Sequence, residues 1–179
     1  MTAKYSGSIL SIGCGKREPE AGVIRLDVSP EVNPDVRWDL NQFPYPFEDS
    51  SFQIIECFDV IEHLNSIPDV MEEFDRILVP GGVAKITTPH FSSANSYIDP
   101  THKWHLSYFS FDYFSDVSAL NYYCSARFTI VSRFIHFKGL KLYTAFARRL
   151  ANKYPDQYEQ HFAWIFPAFF LYFELRSNK

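Results

Sequence analysis

Apolar positions in the first half of the chain fall into short runs closed by turn residues. Ser8-Ile9-Leu10-Ser11-Ile12 ends in Gly13-Cys14-Gly15, and Val23 to Val28 ends in Ser29-Pro30. Val36 to Leu40 leads into the proline-rich stretch 43–47. Phe52 to Cys57 and Val83 to Thr88 follow, the last closed by Pro89. Runs of this length between breakers read as buried strands. The one clear helical period is Ile67, Val70, Met71, Phe74, Ile77 and Leu78, which share one face of a helix. Ser66 is its candidate N-cap, Pro68 suits its first turn, and Pro80-Gly81-Gly82 is expected to stop it.

The texture changes after His90. Residues 91–125 are rich in Ser, Asp, Tyr, Phe and His with weak periodicity, and read as loop and short helices capping the strand ends. Phe128 to Phe137 reads as a long strand, 141–162 as an amphipathic helix broken at Pro155, and Phe169 to Leu175 as a last strand. Strands alternating with crossovers predict an α/β fold, a doubly wound and mostly parallel sheet. Antiparallel C-terminal strands and a helical or loop cap complete it. No repeat or linker divides the chain, so 1–179 is expected to be a single domain. Ligands of such sheets bind beyond the carboxyl ends of the strands. The informative residues should therefore follow each strand.

Two glycines separated by one residue let the backbone turn tightly and approach a ligand. Asp27, at the end of the second strand, lies 14 residues after Gly13. An acid there can accept hydrogen bonds from both hydroxyls of a ribose. Cys14 to Gly22 is too short for a full helical crossover, so a loop or single turn is expected. A pyrophosphate needs the N-terminal amides of that helix. A ligand without phosphates is thus favoured, and a nicotinamide-dependent oxidoreductase is disfavoured. Asp39 and Leu40 offer an acceptor for an exocyclic amine and an apolar contact for a purine, although Asp39 also suits a turn cap.

Composition narrows the classes. Seventeen basic against 21 acidic residues give a formal charge of −4 without a basic stripe, which opposes general nucleic-acid binding. Cys14, Cys57 and Cys124 are too few and too widely spaced for a disulfide framework. No leader peptide is visible, and the apolar stretch Phe162 to Phe173 is too short to span a bilayer. A cytoplasmic protein is expected. Aromatic residues make up 18% of the chain. In the strands they suit a core. In the cap Tyr97, Trp104, Tyr108, Phe109, Phe111, Tyr113 and Phe114 suit equally a core or a binding face, the latter an acceptor pocket or an interface with a second copy, as in a homodimer.

The ordered series SIGCG, an acid at the second strand end, DLNQFPYPFEDSSFQIIECFDVIEHL and FDRILVPGGVAKITTP resembles the class I S-adenosylmethionine-dependent methyltransferases, in particular their small type 11-like members. The resemblance covers about residues 8 to 90 and implies a Rossmann-like fold. It makes 1–90 the cofactor-binding half, 91–125 the cap, and 126–179 the C-terminal strands and helix. It implies S-adenosylmethionine as cofactor, with Gly13, Cys14 and Gly15 along its methionine part. Asp27 would hold the ribose, Asp39 and Leu40 the adenine, and Cys57 and Phe58 the sulfonium end. Arg76 would lie on the helix, and Gly81-Gly82 would open the fifth strand. Three departures stand out: Ser11 replaces the family's acid before the glycine turn, Gln53 replaces the Asp usual after Phe52, and the first strand is expected near residue 8, where most members first have an N-terminal helix.

Methyl transfer demands alignment, exclusion of water and sometimes removal of a proton. The proton carriers of the segment DPTHKWHLSYF make His102 and His105 the candidate bases. His90, Tyr97, Asp99 and Trp104 are the candidate acceptor contacts. His63 is expected to cap the segment after the fourth strand. A metal site from His90, Asp99, His102 and His105 would rest on an HxxH spacing without a further close ligand, and none is expected. The acceptor is expected to be a small molecule or glycan-linked. The rival reading is a relative that binds without catalysing.

Overall fold

Four parallel pairings and two antiparallel ones follow from where the breakers sit. The computed structural model describes residues 8–116, 118–119, 121–139 and 142–179. Among them, one sheet contains β1 (Ile9–Ile12), β2 (Val23–Asp27), β3 (Val36–Arg37), β4 (Phe52–Phe58), β5 (Leu78–Pro89), β6 (Phe128–His136) and β7 (Phe170–Ser177). Their order is β3-β2-β1-β4-β5-β7-β6. Strands β1 to β5 run parallel, and β7 runs antiparallel to both β5 and β6. The α/β, mostly parallel sheet with antiparallel C-terminal strands is therefore present as expected. The order reverses at β1, between β2 and β4, where such sheets open a crevice.

Two strands differ from expectation. β3 stops at Arg37, because Asp39 turns the chain by accepting from Asn41 N and Nδ2 at 2.9 and 3.0 Å. β5 begins at Leu78 and runs through Pro80-Gly81-Gly82, absorbing three extra residues between the pairs Phe52↔Leu78 and Ile54↔Val83. The helix α1 (Ile67–Ile77) has thus already ended when that triplet arrives. Ser66 Oγ caps it by accepting from Asp69 N at 3.3 Å. Such a cap contributes about 1 kcal/mol. Its apolar face, with Val70, Met71, Phe74 and Ile77, is buried in the core. Arg76 ties the loop 45–49 to this helix: it donates to Phe47 O at 2.9 Å and to Asp49 Oδ1 at 2.7 Å, beside Glu73.

The two faces of the sheet differ. Leu10, Ile12, Leu26, Ile55, Cys57, Ala84, Ile86, Phe173 and Leu175 are buried in the core. On the other face a polar row crosses the strands in register: Arg25, Ser11, Glu56, Lys85, Glu174 and Ser132. The short crossover after β1 lies along that row. Arg17 pairs with Glu56 and donates to Ser11 Oγ, and Arg25 donates to Arg17 O. As expected, no long helix connects β1 to β2.

The segment after β5 contains the short helix α2 (Asn95–Ile98). Phe111 and Phe114 of the cap join the core, whereas Tyr97 and Trp104 remain exposed. Helix α3 (Leu142–Lys153) stops before Pro155, whose predecessor Tyr154 is held at φ −133° and ψ 62°, outside the helical region. Asn152 of α3 bonds both Ile135 N and Ile135 O at 2.8 Å and so occupies the free edge of β6.

Candidate cofactor and acceptor site

The turn after β1 is built from backbone geometry. Gly13 and Gly15 have φ of +60° and +53°, values that favour glycine. Gly15 N donates to Asp27 Oδ2 at 3.0 Å, and Ser29 N donates to Asp27 Oδ1 at 2.9 Å. Cys14 N donates to Leu26 O at 3.1 Å. The glycine turn and the acid at the end of β2 are thus one unit. A Cβ placed on Gly15 would meet nothing within 4 Å, so this side of the turn faces open space. A Cβ on Gly13 would lie 2.3 Å from Val60 Cγ2, so the chain's own Val60 covers that side. Burial, and then the Asp27 carboxylate, push the Cys14 thiol up.

β2 and β3 pair up to Asp27↔Arg37, and Trp38 N donates to Asp27 O at 3.1 Å. Asp39 follows immediately, with Oδ1 engaged by Asn41. The Leu40 side chain belongs to the core, and its carbonyl accepts from Tyr45 Oη at 3.0 Å. Cys57 and Phe58 split as neighbours on a strand must. Cys57 is 0% exposed on the core face, and burial raises its thiol pKa. Phe58 turns outward. Of the two residues expected at the sulfonium end, the Cys57 side chain thus lies in the core and the Phe58 ring at the surface.

Phe58 lines a cavity of about 520 Å³ beyond the ends of β4 and β5. Its other walls are Asp59, Thr87, Pro89, Asn95, Phe169, Phe170 and Tyr172. Thr87 Oγ1 donates to Asp59 Oδ1 at 3.1 Å. Sequence reading missed the walls contributed by Asn95, Phe169, Phe170 and Tyr172. The last two reach the cavity because β7 pairs antiparallel with β5, placing Phe170 beside Pro89 and Tyr172 beside Thr87.

The expected acceptor contacts and bases lie elsewhere. His90 is 0% exposed. Its Nδ1 accepts from Ser92 N at 3.0 Å, which leaves the proton on Nε2 to face Glu159 Oε1 at 3.2 Å. It is an internal tie between β5 and the C-terminal segment, with both ring nitrogens engaged by the chain itself. Tyr97 stacks on His105 at 4.3 Å on the surface. His105 Nδ1 bonds Ser96 Oγ at 2.8 Å. Asp99 Oδ1 accepts from Thr101 N and Oγ1 at 2.8 and 2.6 Å, which holds its pKa down. Trp104 Nε1 donates to Leu64 O at 2.8 Å. None of these side chains walls the cavity.

His102 does join a cluster, with partners that sequence reading did not pair with it. It lies 4.6 Å from His63, ring to ring, and its Nε2 is 3.9 Å from Glu62 Oε1. Glu62 is 1% exposed, and burial pushes its carboxyl up to about 7. Neither of its oxygens, nor Thr88 Oγ1, has a well-aligned hydrogen-bond partner among the described residues, although the Thr88 hydroxyl and the N–H of Glu62 itself lie near enough to oppose the effect of burial. His63, expected as a cap, bonds Thr101 Oγ1 through Nδ1 at 2.8 Å, and burial lowers its pKa. The only signal for this grouping was the adjacency of Glu62 and His63.

Comparison with known proteins agrees with this fold. A family model described as a methyltransferase domain matches residues 2–172. A search of curated proteins found no match. Among solved structures, an S-adenosylmethionine-dependent methyltransferase from Archaeoglobus fulgidus is similar over 97% of this chain and 87% of its own, with TM-score 0.65 and 16% identity. One from Mesorhizobium loti is similar over 96% and 91%, with TM-score 0.60 and 15% identity. A Haloferax volcanii methyltransferase, solved in complex with a methyltransferase activator, is similar over 97% and 84%, with TM-score 0.61 and 14% identity. At these identities the likeness concerns the fold.

Proposed function

Since the chain belongs to the methyltransferase-domain family, we propose that it transfers a methyl group from S-adenosylmethionine to a small or glycan-linked acceptor. The observation that carries this reading is the unit formed by Gly15 and Asp27, 3.0 Å apart, with no helix behind the turn. A carboxylate has about four acceptor positions. Gly15 and Ser29 use two of them. The remaining two suit a pair of ribose hydroxyls, and the open side of Gly15 admits the ligand. A turn without a helix N-terminus suits a cofactor without phosphates. The residues therefore fit the adenosine part of the cofactor.

When bound, S-adenosylmethionine supplies a methyl group already activated on a sulfonium. Asp27 holds the ribose, and Asp39 accepts from the exocyclic amine. Phe58 and the aromatic walls present ring faces, which attract cations. The cavity of about 520 Å³ is of a size that holds small molecules. Asp59, Thr87 and Asn95 give it hydrogen-bonding groups, while its rings suit the apolar face of a sugar. Its task is to align the acceptor and exclude water. This reading includes neither nucleic acid nor a membrane span. Among the described residues no helix is long and apolar enough to cross a bilayer. The three unpaired cysteines suit the reducing cytoplasm.

A second reading, binding without catalysis, draws support from Val60 seated on Gly13 and from Arg17 bridging Ser11 and Glu56, both of which narrow the methionine end. Calorimetry with S-adenosylhomocysteine tests the first reading. Saturable binding lost in Asp27→Ala is expected, and no heat at millimolar ligand would sink it. Binding with no methyl transfer to any sugar or small hydroxyl acceptor favours the second.

A further inference from the structure

The geometry points to a binding site for one divalent transition-metal ion of the zinc type, formed by Glu62, His63 and His102. Ligand atoms of the three residues lie within 4.8 Å of one another. A tetrahedral ion about 2.0–2.1 Å from each nitrogen and oxygen asks for separations of ~3.3 Å, so small side-chain movements close the site.

Hydrogen bonds set both rings for the task. The Thr101 hydroxyl gives its proton to Asp99 Oδ1 at 2.6 Å, so at 2.8 Å it accepts from His63 Nδ1. His102 Nδ1 faces the Ser96 carbonyl at 3.3 Å, which can only accept. Each ring therefore carries its proton on Nδ1 and offers a lone pair at Nε2. Metal-binding histidines are oriented in this manner, through a carboxylate or carbonyl on the other nitrogen. Asp99, Thr101 and Ser96 are here the positioning residues.

The third ligand is the strongest argument. A fully buried carboxylate without a hydrogen-bond partner is costly, and such groups are normally paired or bound to a cation. Glu62 has no well-aligned partner for either oxygen, yet its backbone is held firmly. Its carbonyl accepts from Lys103 N at 2.8 Å and from Trp104 N at 3.3 Å, which fastens the segment bearing His102 to the turn bearing Glu62 and His63. Asp59 and Asp99 add negative potential to the cluster, opposed by Lys103. Two imidazoles with one carboxylate suit zinc and its neighbours, whereas magnesium and calcium prefer oxygen donors. Three protein ligands leave a coordination position open.

This inference stands independently of the methyl-transfer reading. The test uses the full chain, stripped with a chelator and titrated with ZnCl₂ by calorimetry, with CoCl₂ absorption as a report of the coordination shell. One equivalent of zinc should bind, and cobalt should show ligand-field bands. His63→Ala and His102→Ala should each weaken binding at least ~100-fold, more than the roughly 10–100-fold typical of lost outer-shell partners. Thr101→Ala should weaken it by about 10-fold. Glu62→Gln, nearly isosteric, should lose zinc while keeping the far-ultraviolet spectrum of the parent. His161→Ala, on an exposed residue, is the control and should bind as the parent does. No uptake at millimolar ZnCl₂ would overturn the proposal, as would uptake unchanged in the His63 and His102 variants.

Discussion

The turn at Gly13 to Asp27 and the cluster at Glu62 lie at the ends of neighbouring strands, β1 and β4, yet they treat a carboxylate in opposite ways. Asp27 has a backbone N–H on each oxygen and stands at the sheet's open end. Glu62 is sealed from water with no well-aligned partner on either oxygen. A carboxylate satisfied by backbone groups is already positioned, with acceptor capacity left for a neutral ligand. One stranded in a low-dielectric pocket lowers its free energy by taking up a proton or a cation. The contrast makes the first a seat for hydroxyls and the second a seat for positive charge.

The largest expected effect lies in the turn. Gly13→Ala combines left-handed strain of about 1–2 kcal/mol with overpacking against Val60 of about 1–3 kcal/mol. A loss near 3 kcal/mol by urea unfolding is expected. Gly15→Ala, with nothing near its Cβ, should show the strain alone. Adding Val60→Ala to Gly13→Ala should restore the overpacking part, and a cycle without coupling would refute the contact. Next, Asp27→Ala leaves Gly15 N and Ser29 N without their acceptor. A loss of about 2 kcal/mol follows from the cost of unmade hydrogen bonds, together with loss of S-adenosylhomocysteine binding.

Glu62→Gln should go the other way. In metal-free protein, removing a carboxyl that has no well-aligned partner should leave stability unchanged or raise it by about 1 kcal/mol. The same variant should abolish any rise in melting temperature on adding zinc, since an ion that binds only the folded state stabilises by mass action. If Glu62→Gln destabilised the metal-free protein as strongly as Asp27→Ala, the supposed difference between the two carboxylates would vanish.

How much of this was legible in the sequence follows from the distances along the chain. The glycine turn, Asp27 and the missing first helix follow from local rules: positive φ at glycine, an acid after a strand, a crossover of too few residues. The α1 face and its Ser66 cap were local as well. The Glu62 cluster was not, because His102 arrives 40 positions later through backbone bonds from Lys103 and Trp104 to Glu62 O. The partners of His90 were hidden for the same reason. Its place just after β5 suits a ligand contact, but Glu159 returns from 69 positions away to occupy its Nε2. Leu40 and Cys57 show a subtler limit, since position after a strand does not reveal which face a side chain takes. The aromatic walls from β7 could be inferred only once its pairing with β5 was known.

The smallest expected effect concerns the outward side of the cluster. Ser96 touches both cap histidines, His102 through its carbonyl and His105 through its hydroxyl. His105 is exposed and packs on Tyr97 outside the cavity. His105→Ala should therefore change stability by no more than about 0.5 kcal/mol, as most surface substitutions do. Zinc affinity should hold within about threefold, because the Ser96 carbonyl that orients His102 belongs to the backbone of α2 and remains in place, whereas losing a true outer-shell partner costs 10–100-fold. Methyl transfer should likewise persist. A variant that folds, binds S-adenosylhomocysteine and yet loses turnover would make His105 the base. The acceptor would then lie on the Tyr97 side of the cap and not in the cavity between Phe58 and Tyr172.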